Sequence, residues 1–406
     1  MFLIQVGKNK GMKLLYILNI TNRINSFSMS SLLAAKALGI DFHIAGYWSY
    51  SNEDERKKDE ERFGIHIYQV DFHRNPFHPG NLRAYQQLSR IARRESFDAI
   101  HCNTPIGGLV GRIISQQRKV KEVIYQAHGF HFYKGAPILN WLLYYPVEKW
   151  MAHYTDDLIC INQEDYAFAK HNLHLRRAGR VHYIPGIGID TKKYEAAQID
   201  RDAKRRELRL PSNLPLVLSV GELNYNKNHA TVIRALTKLP QVHYAIAGRG
   251  PLQQELAAIA ERLGVSDRVH FLGFRSDLDE IYPIADVFCL PSRREGLSTA
   301  IMEAMATGLP CIVSRIRGNV DLIEEGVGGF LCDARNPKSF SERISLLSND
   351  ETMRERMGNY NRGKIKEFEI HSVVEQISEI YLRVLEDSSS DENTQTHQAN
   401  KKHCNI

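Results

Sequence analysis

Short runs of consecutive apolar residues recur along the chain, separated by longer stretches in which apolar positions return every three or four residues. A continuous apolar run marks a strand buried on both faces, and the longer repeat marks an amphipathic helix. In the first half strand-like runs, some interrupted by a histidine or glutamine, fall at 14–18, 42–46, 65–69, 99–102, 123–127 and 158–161. Helical stretches lie between most of them, including one opening near Ser28 and a basic one over 82–94. The rhythm restarts at 216–220 and continues at 242–247, 269–272, 287–290 and 311–314. Strand and helix alternating at this spacing predict an α/β protein with two Rossmann-like domains, each built on a doubly wound parallel sheet. The boundaries are placed at 12–185 and 211–367, with a linker at 186–210 and a hinge-like Pro185-Gly186-Ile187-Gly188 where it begins. A terminal helix is expected over 368–386, and the polar segment 387–406, poor in apolar anchors, is expected to be disordered. The first strand follows Met12 closely, which makes Met12 a candidate start.

Composition narrows the class without changing the architecture. With 43% hydrophobic and 25% charged residues among 406, the chain is globular and long enough for two cores. A net charge of +6 favours anionic partners such as pyrophosphates or an anionic membrane surface, but no concentrated basic stretch argues for nucleic acid. The block 53–62 is a solvated charged face. The six cysteines, at 102, 160, 289, 311, 332 and 404, lack the C-x-x-C spacing of a metal site; reduced, mostly buried thiols and no bound metal are expected. No apolar run reaches the roughly 18 residues that cross a bilayer, and no secretory leader is evident. A cytoplasmic protein is expected, with a peripheral position at the inner membrane surface as a further candidate.

The chemistry concentrates at Glu295-Gly296-Leu297-Ser298-Thr299-Ala300-Ile301-Met302-Glu303. A buried strand precedes it, and a helix over Thr299–Thr307, closed by Gly308, is expected within it. Glu295 is thereby placed on the loop at a strand's carboxyl end, where open α/β sheets bind ligands, and Glu303 early in the helix. Free amides of Leu297, Ser298 and Thr299 would attract a phosphate. Carboxylates accept paired hydrogen bonds from sugar hydroxyls, so a nucleotide-sugar suits the combination. Two exposed acids at a helix start would be the plainer explanation.

With Gly308-Leu309-Pro310 behind it, this segment resembles the E-x7-E signature of glycosyltransferase family 4, retaining enzymes of GT-B fold. Ile100-His101-Cys102-Asn103-Thr104-Pro105, Ala127-His128-Gly129-Phe130-His131-Phe132-Tyr133-Lys134-Gly135 and Ile184-Pro185-Gly186-Ile187-Gly188-Ile189-Asp190 resemble the bacterial exopolysaccharide and capsule subgroup. Gly221-Glu222-Leu223 with Lys227-Asn228, Gly248-Arg249-Gly250-Pro251 and Phe271-Leu272-Gly273-Phe274 follow in the family's order. The resemblance implies two domains facing across a cleft, the first for the acceptor and the second for the nucleotide-sugar, with the terminal helix crossing back to the first.

It also implies roles. Glu295 binds donor-sugar hydroxyls, Glu303 the ribose, and Lys227 the diphosphate. Gly296, Leu297, Ser298 and Thr299 belong to the same donor site, with Phe274 and Arg275 beside the base or sugar. Basic side chains and amides, rather than a divalent metal, are expected to neutralise the leaving group, with a UDP-sugar as donor and no cofactor. Glu222 stands where many members carry an arginine, and Arg249 or Arg275 is a candidate replacement. Gly248 and Gly250 would let backbone approach the nucleotide. His128, at a strand end before glycine, matches the position nearest the reacting centre. His131 and Lys134 are candidates for acceptor or pyrophosphate contact, with His101 and Asn103 edging the same cleft. Gly107, Gly108 and Gly111 miss the dinucleotide fingerprint and suit close helix packing better. The aromatic segment 139–151 is either core or, with Arg83, Arg90, Arg93 and Arg94, a membrane-resting surface. The expected function is retaining transfer to a saccharide on a polyprenyl diphosphate. A nucleotide-sugar epimerase and a non-catalytic sugar-nucleotide-binding partner of another transferase are the alternatives.

Overall fold

The computed structural model describes residues 11–49, 51–195 and 199–403. The chain forms two compact units, the first running to Gly188 and resuming at Ile370, the second spanning Ile189–Glu369.

In the first unit the strands are β1 (Lys13–Thr21), β2 (Asp41–Trp48), β3 (His66–Gln69), β4 (Ala99–Asn103), β5 (Glu122–Ala127), β6 (Asp157–Cys160) and β7 (Arg180–Tyr183). They form one parallel sheet in the order β3-β2-β1-β4-β5-β6-β7. Its helices are α1 (Ser26–Ala37), α2 (Glu53–Phe63), α3 (Gly80–Glu95), α4 (Pro105–Arg118), α5 (Ile138–Ala152) and α6 (Gln163–Asn172), followed by the terminal helix Ile370–His403. Successive β1 side chains alternate between two cores. Leu14 and Tyr16 pack with Val373, Ile377 and Tyr381 of the terminal helix. Leu15 and Ile17 pack with Leu88 of α3 and Ile114 of α4. Close helix packing accounts for the α4 glycines: a Cβ on Gly108 would lie 2.4 Å from the Tyr125 ring, and one on Gly111 2.9 Å from Cys102 Cβ.

The second unit has β8 (Leu216–Val220), β9 (His243–Ala247), β10 (Val269–Gly273), β11 (Val287–Leu290), β12 (Cys311–Ser314) and β13 (Gly329–Cys332), ordered β10-β9-β8-β11-β12-β13 and parallel throughout. Its first helices are α7 (Thr191–Glu195), α8 (Arg201–Glu207), α9 (Ala230–Ala235), α10 (Gln253–Arg262), α11 (Leu278–Ile281) and α12 (Thr299–Thr307). In each sheet the order reverses beside the first strand of its unit, between β1 and β4 and between β8 and β11. Those are the points at which α/β sheets open a crevice beyond the strand ends.

Three expectations are corrected. The segment 189–210 is not a free linker: Ile189, Tyr194 and Leu210 are buried in the second unit's core beside Phe288 and Ile301, because their apolar side chains find that surface. Gly186 and Gly188 do take positive φ, 78° and 79°, and a Cβ on Gly188 would lie 2.7 Å from Ile370 Cα. Strands β7 and β13 lack a long apolar run, being four residues each and edge strands of their sheets. The terminal helix continues past 386 to His403, since 387–403 holds neither glycine nor proline to stop it; residues 404–406, the end of the segment expected to be disordered, lie outside the described residues, as does Cys404. The other five cysteines are free and buried. No helix among the described residues is long and apolar enough to cross a membrane.

Candidate active site

The second unit gathers its polar side chains at the switch point between β8 and β11. The loop leaving β8 is held by its own side chains. Glu222 Oε2 accepts from Asn224 Nδ2 at 2.9 Å, and Asn224 Oδ1 accepts the Lys227 amide at 2.9 Å. Asn228 sits at φ 59°, in the left-handed region that asparagine tolerates, and its Nδ2 donates to the carbonyls of Pro291 and Ala334, both at 2.9 Å. This buried anchor ties the β8 loop to the end of β11 and aims Lys227. Lysine Nζ donates to Glu295 Oε1 at 2.7 Å, with side-chain exposures of 20% and 12%. Two residues 68 positions apart in sequence are thus one ion pair.

Helix α12 begins directly after this pair. Ser298 is buried and in N-cap position but does not cap with its side chain, so no hydroxyl competes for the first-turn amides. Leu297 is partly buried against the core. Thr299 opens the helix, and Gly308 ends it at φ 85°. On the second turn, Glu303 Oε1 accepts from Tyr194 at 2.9 Å and Oε2 from Tyr282 at 2.7 Å. Burial raises the Glu303 pKa, and the two phenol hydrogen bonds oppose that rise. Each oxygen keeps acceptor capacity for a ligand hydroxyl. Glu295 and Glu303 therefore occupy different surroundings, one facing an ammonium and the other two phenols.

The glycines of this region serve the fold. A Cβ on Gly248 would lie 1.9 Å from the Gly221 carbonyl, and one on Gly250 2.4 Å from that of Leu223. Their want of a side chain lets the β8 and β9 loops touch. Gly318, which the motif reading missed, has the same use: its φ is 78°, and a Cβ would lie 2.1 Å from the Gly296 carbonyl. Only the fold brings 296 and 318 together. Phe274 is 70% exposed. Arg275 is held by Asp277, which raises its pKa, and it does not stand free as a replacement cation. Arg249 is exposed, and its side chain has no partner among the described residues, which leaves it the better candidate. Glu222 faces solvent.

The metal-independent reading takes the chain to hold no Asp-x-Asp triplet, a usual divalent-metal signature, but two occur, Asp200-Arg201-Asp202 and Asp277-Leu278-Asp279. Asp200 caps α8, and Asp277 pairs with Lys204 and Arg275. Among the described residues one group of possible metal ligands is assembled, Asp41, His43 and His66, at the amino ends of β2 and β3, opposite the ends that carry the site.

In the first unit, β4 and β5 bring Asn103 and His128 together. Asn103 is buried, its Nδ2 donates to the Ile17 carbonyl at 3.3 Å, and this orients Oδ1 toward His128 Nε2 at 2.9 Å. An amide oxygen can only accept, so Nε2 carries the proton and Nδ1 keeps a lone pair. The ring meets Phe27 edge-on at 5.5 Å, and burial lowers its pKa to about 4. His128 is neutral at physiological pH. His101 is not a site residue: fully buried, its Nδ1 lies 2.7 Å from the hydroxyl of Tyr381, and burial lowers its pKa to about 3. His131 packs at a tilt against the Tyr144 ring, with centroids 4.7 Å apart. Lys134 is exposed, with its amide bound to Glu164 at 2.8 Å.

Comparison with known proteins identifies the family. Residues 200–364 match the family model "Glycosyl transferases group 1", and 17–162 match "Glycosyl transferase 4-like". EpsD of Bacillus subtilis (strain 168), named as a glycosyltransferase, is 35% identical over 376 residues, covering 91% of this chain and 96% of that protein. The UDP-Gal:alpha-D-GlcNAc-diphosphoundecaprenol alpha-1,3-galactosyltransferase of Escherichia coli is 29% identical over 309 residues, 74% of this chain and 79% of its own. The structure of Anabaena Alr3699/HepE in complex with UDP and glucose superposes with a TM-score of 0.75 at 21% identity, over 92% of this chain and all of that one, and so matches in fold. With both sheets, the carboxylate pair and near full-length similarity to EpsD in agreement, this chain belongs to glycosyltransferase family 4 and is a GT-B hexosyltransferase of its bacterial polysaccharide branch.

Proposed function

We propose that the protein moves a hexose from a UDP-sugar to a saccharide carried on a polyprenyl diphosphate, with retention at the anomeric carbon and without a metal ion. The observation that carries this reading is the Lys227–Glu295 pair at 2.7 Å beside the uncapped start of α12. An ammonium and helix-start amides suit a diphosphate, and a carboxylate beside them suits the hydroxyls of the attached sugar. The E. coli relative is named for UDP-galactose and a diphosphoundecaprenol acceptor, and the Anabaena neighbour was solved with UDP and glucose. Both support the choice of donor and acceptor class.

In the proposed reaction the bond from the anomeric carbon to the phosphate oxygen breaks while an acceptor oxygen bonds to the same face. The acceptor proton passes to the departing phosphate oxygen, so no protein nucleophile is required. Lys227 and the α12 amides hold the charge that develops on the diphosphate. Glu295 positions the sugar, and Glu303 accepts from the ribose. On the first unit, neutral His128 keeps an Nδ1 lone pair able to accept from a hydroxyl. Thermal unfolding with UDP-, GDP-, ADP- and dTDP-sugars in EDTA tests the donor assignment, because a ligand of the folded state raises its stability. Stabilisation by the uridine class in EDTA is expected; a shift that needs added metal, or none with any nucleotide, overturns the reading. Incubation with donor alone should leave the sugar's stereochemistry unchanged, whereas an epimerase would convert it.

A further inference from the structure

Helix α5 carries two apolar faces, and the core covers one of them. Trp141, Tyr144 and Tyr145 pack inward beside buried Met151 and Ala152. On the opposite side Ile138, Leu139, Leu142, Leu143, Val147 and Trp150 are exposed by 77, 60, 67, 44, 42 and 53%. At 100° per residue these six and Pro146 fill a continuous half of the helix circumference. Contiguous exposure of this kind marks an interaction surface.

The charges around it select the occupant. The helix has one acid, Glu148, which turns inward and is neutralised by buried Arg112 at 2.6 Å. Its one cation, Lys149, is exposed among the apolar residues. Helices α3, α4 and α5 cover the same face of the sheet, because Leu88, Ile114 and Ala152 join one core. On α3, exposed Arg83, Arg90 and Arg93 have no side-chain partner among the described residues. The layer thus offers apolar side chains and unpaired cations without an outward acid on α5. A second copy of the chain would bring cations against cations across a two-fold axis. An anionic lipid surface satisfies both parts, taking the apolar arc into the headgroup boundary and the arginines onto the lipid charges. The geometry points to the outer face of α5, flanked by the α3 arginines, as the surface by which the protein rests on an anionic bilayer. Trp150, apolar with one N–H donor, suits the interface depth. This inference stands on the exposed face and its charges, and is independent of the donor-site reading.

The test is flotation of the full chain with phosphatidylcholine–phosphatidylglycerol vesicles and with pure phosphatidylcholine vesicles, at low and high salt. Binding to the anionic vesicles is expected, with partition falling about tenfold or more in Leu142→Glu and several-fold in an Arg83→Glu/Arg90→Glu variant. Brominated acyl chains should quench wild-type tryptophan emission and leave Trp150→Phe unquenched. Circular dichroism and UDP-induced thermal shift, both unchanged in Leu142→Glu, separate a lost surface from a lost fold or donor site. Equal flotation of wild type and Leu142→Glu overturns the inference. So does absence of binding, or a dimer that Leu142→Glu dissociates while vesicle binding persists.

Discussion

Glu295 and Lys227 are each other's partner, so truncating either leaves the other's charge without its counterpart. Glu295→Ala should lower turnover about a hundredfold or more, with a folded circular-dichroism spectrum retained; unchanged turnover would remove Glu295 from the donor site. At His128 the pairing with Asn103 makes a finer claim. A carboxylate in place of the amide favours the imidazolium, so Asn103→Asp should raise the histidine pKa from about 4. The rate of this variant should then fall as pH drops through the ordinary histidine range, where the wild type is flat, and an NMR titration of the His128 ring would show the same shift. Gly248 makes a prediction of the opposite kind. An alanine there meets the Gly221 carbonyl, and Gly248→Ala should cost about 2–4 kcal/mol in denaturant unfolding.

Between elements, the most demanding contact in the first unit joins α4 to α5. Arg112 is fully buried, its Nε donates to the Gly108 carbonyl at 2.9 Å, and its guanidinium lies 4.0 Å over the Tyr125 ring. Arg112→Ala would strand Glu148 in the interior and should cost about 3–5 kcal/mol, read by urea unfolding; a loss below about 1 kcal/mol would show that water reaches the carboxylate. The apolar and aromatic richness of α5 was plain in the sequence, but a helix apolar all round does not say which half is covered. Only the packing of α5 on the sheet separates Trp141 and Tyr145 from Leu142 and Trp150. Edge strand β7 escaped the pattern because a half-covered strand needs no apolar run, whereas β13 is largely buried but offers only Phe330, Leu331 and Cys332 in succession.

Across the whole chain, several histidines kept neutral by desolvation couple protonation to stability, and His101, His128 and His229 are the most strongly shifted. His101 at about 3, His128 at about 4 and His229 at about 4 lie below the unfolded value near 6.5, each mainly through burial. A depressed folded pKa means that the unfolded chain binds more protons between those values. The stabilisation is therefore complete above about pH 6.5 and is lost as pH falls toward 4. All three tryptophans, at 48, 141 and 150, lie in the first unit, so tryptophan-monitored urea unfolding reports on the domain that holds His101 and His128. Its midpoint should drop through this window and drop less in His101→Phe. The two-domain α/β architecture, the strands buried on both faces, the α12 helix with its glycine stop and the family membership were all legible in the sequence, because they follow from local periodicity and contiguous motifs. The tertiary structure alone decided which distant groups meet: Lys227 with Glu295, Glu303 with Tyr194 and Tyr282, Asn103 with His128, Gly318 with Gly296. Contacts between such distant residues leave no spacing in one chain, and the same holds for His101, whose burial by Tyr381 of the terminal helix withdrew it from the site.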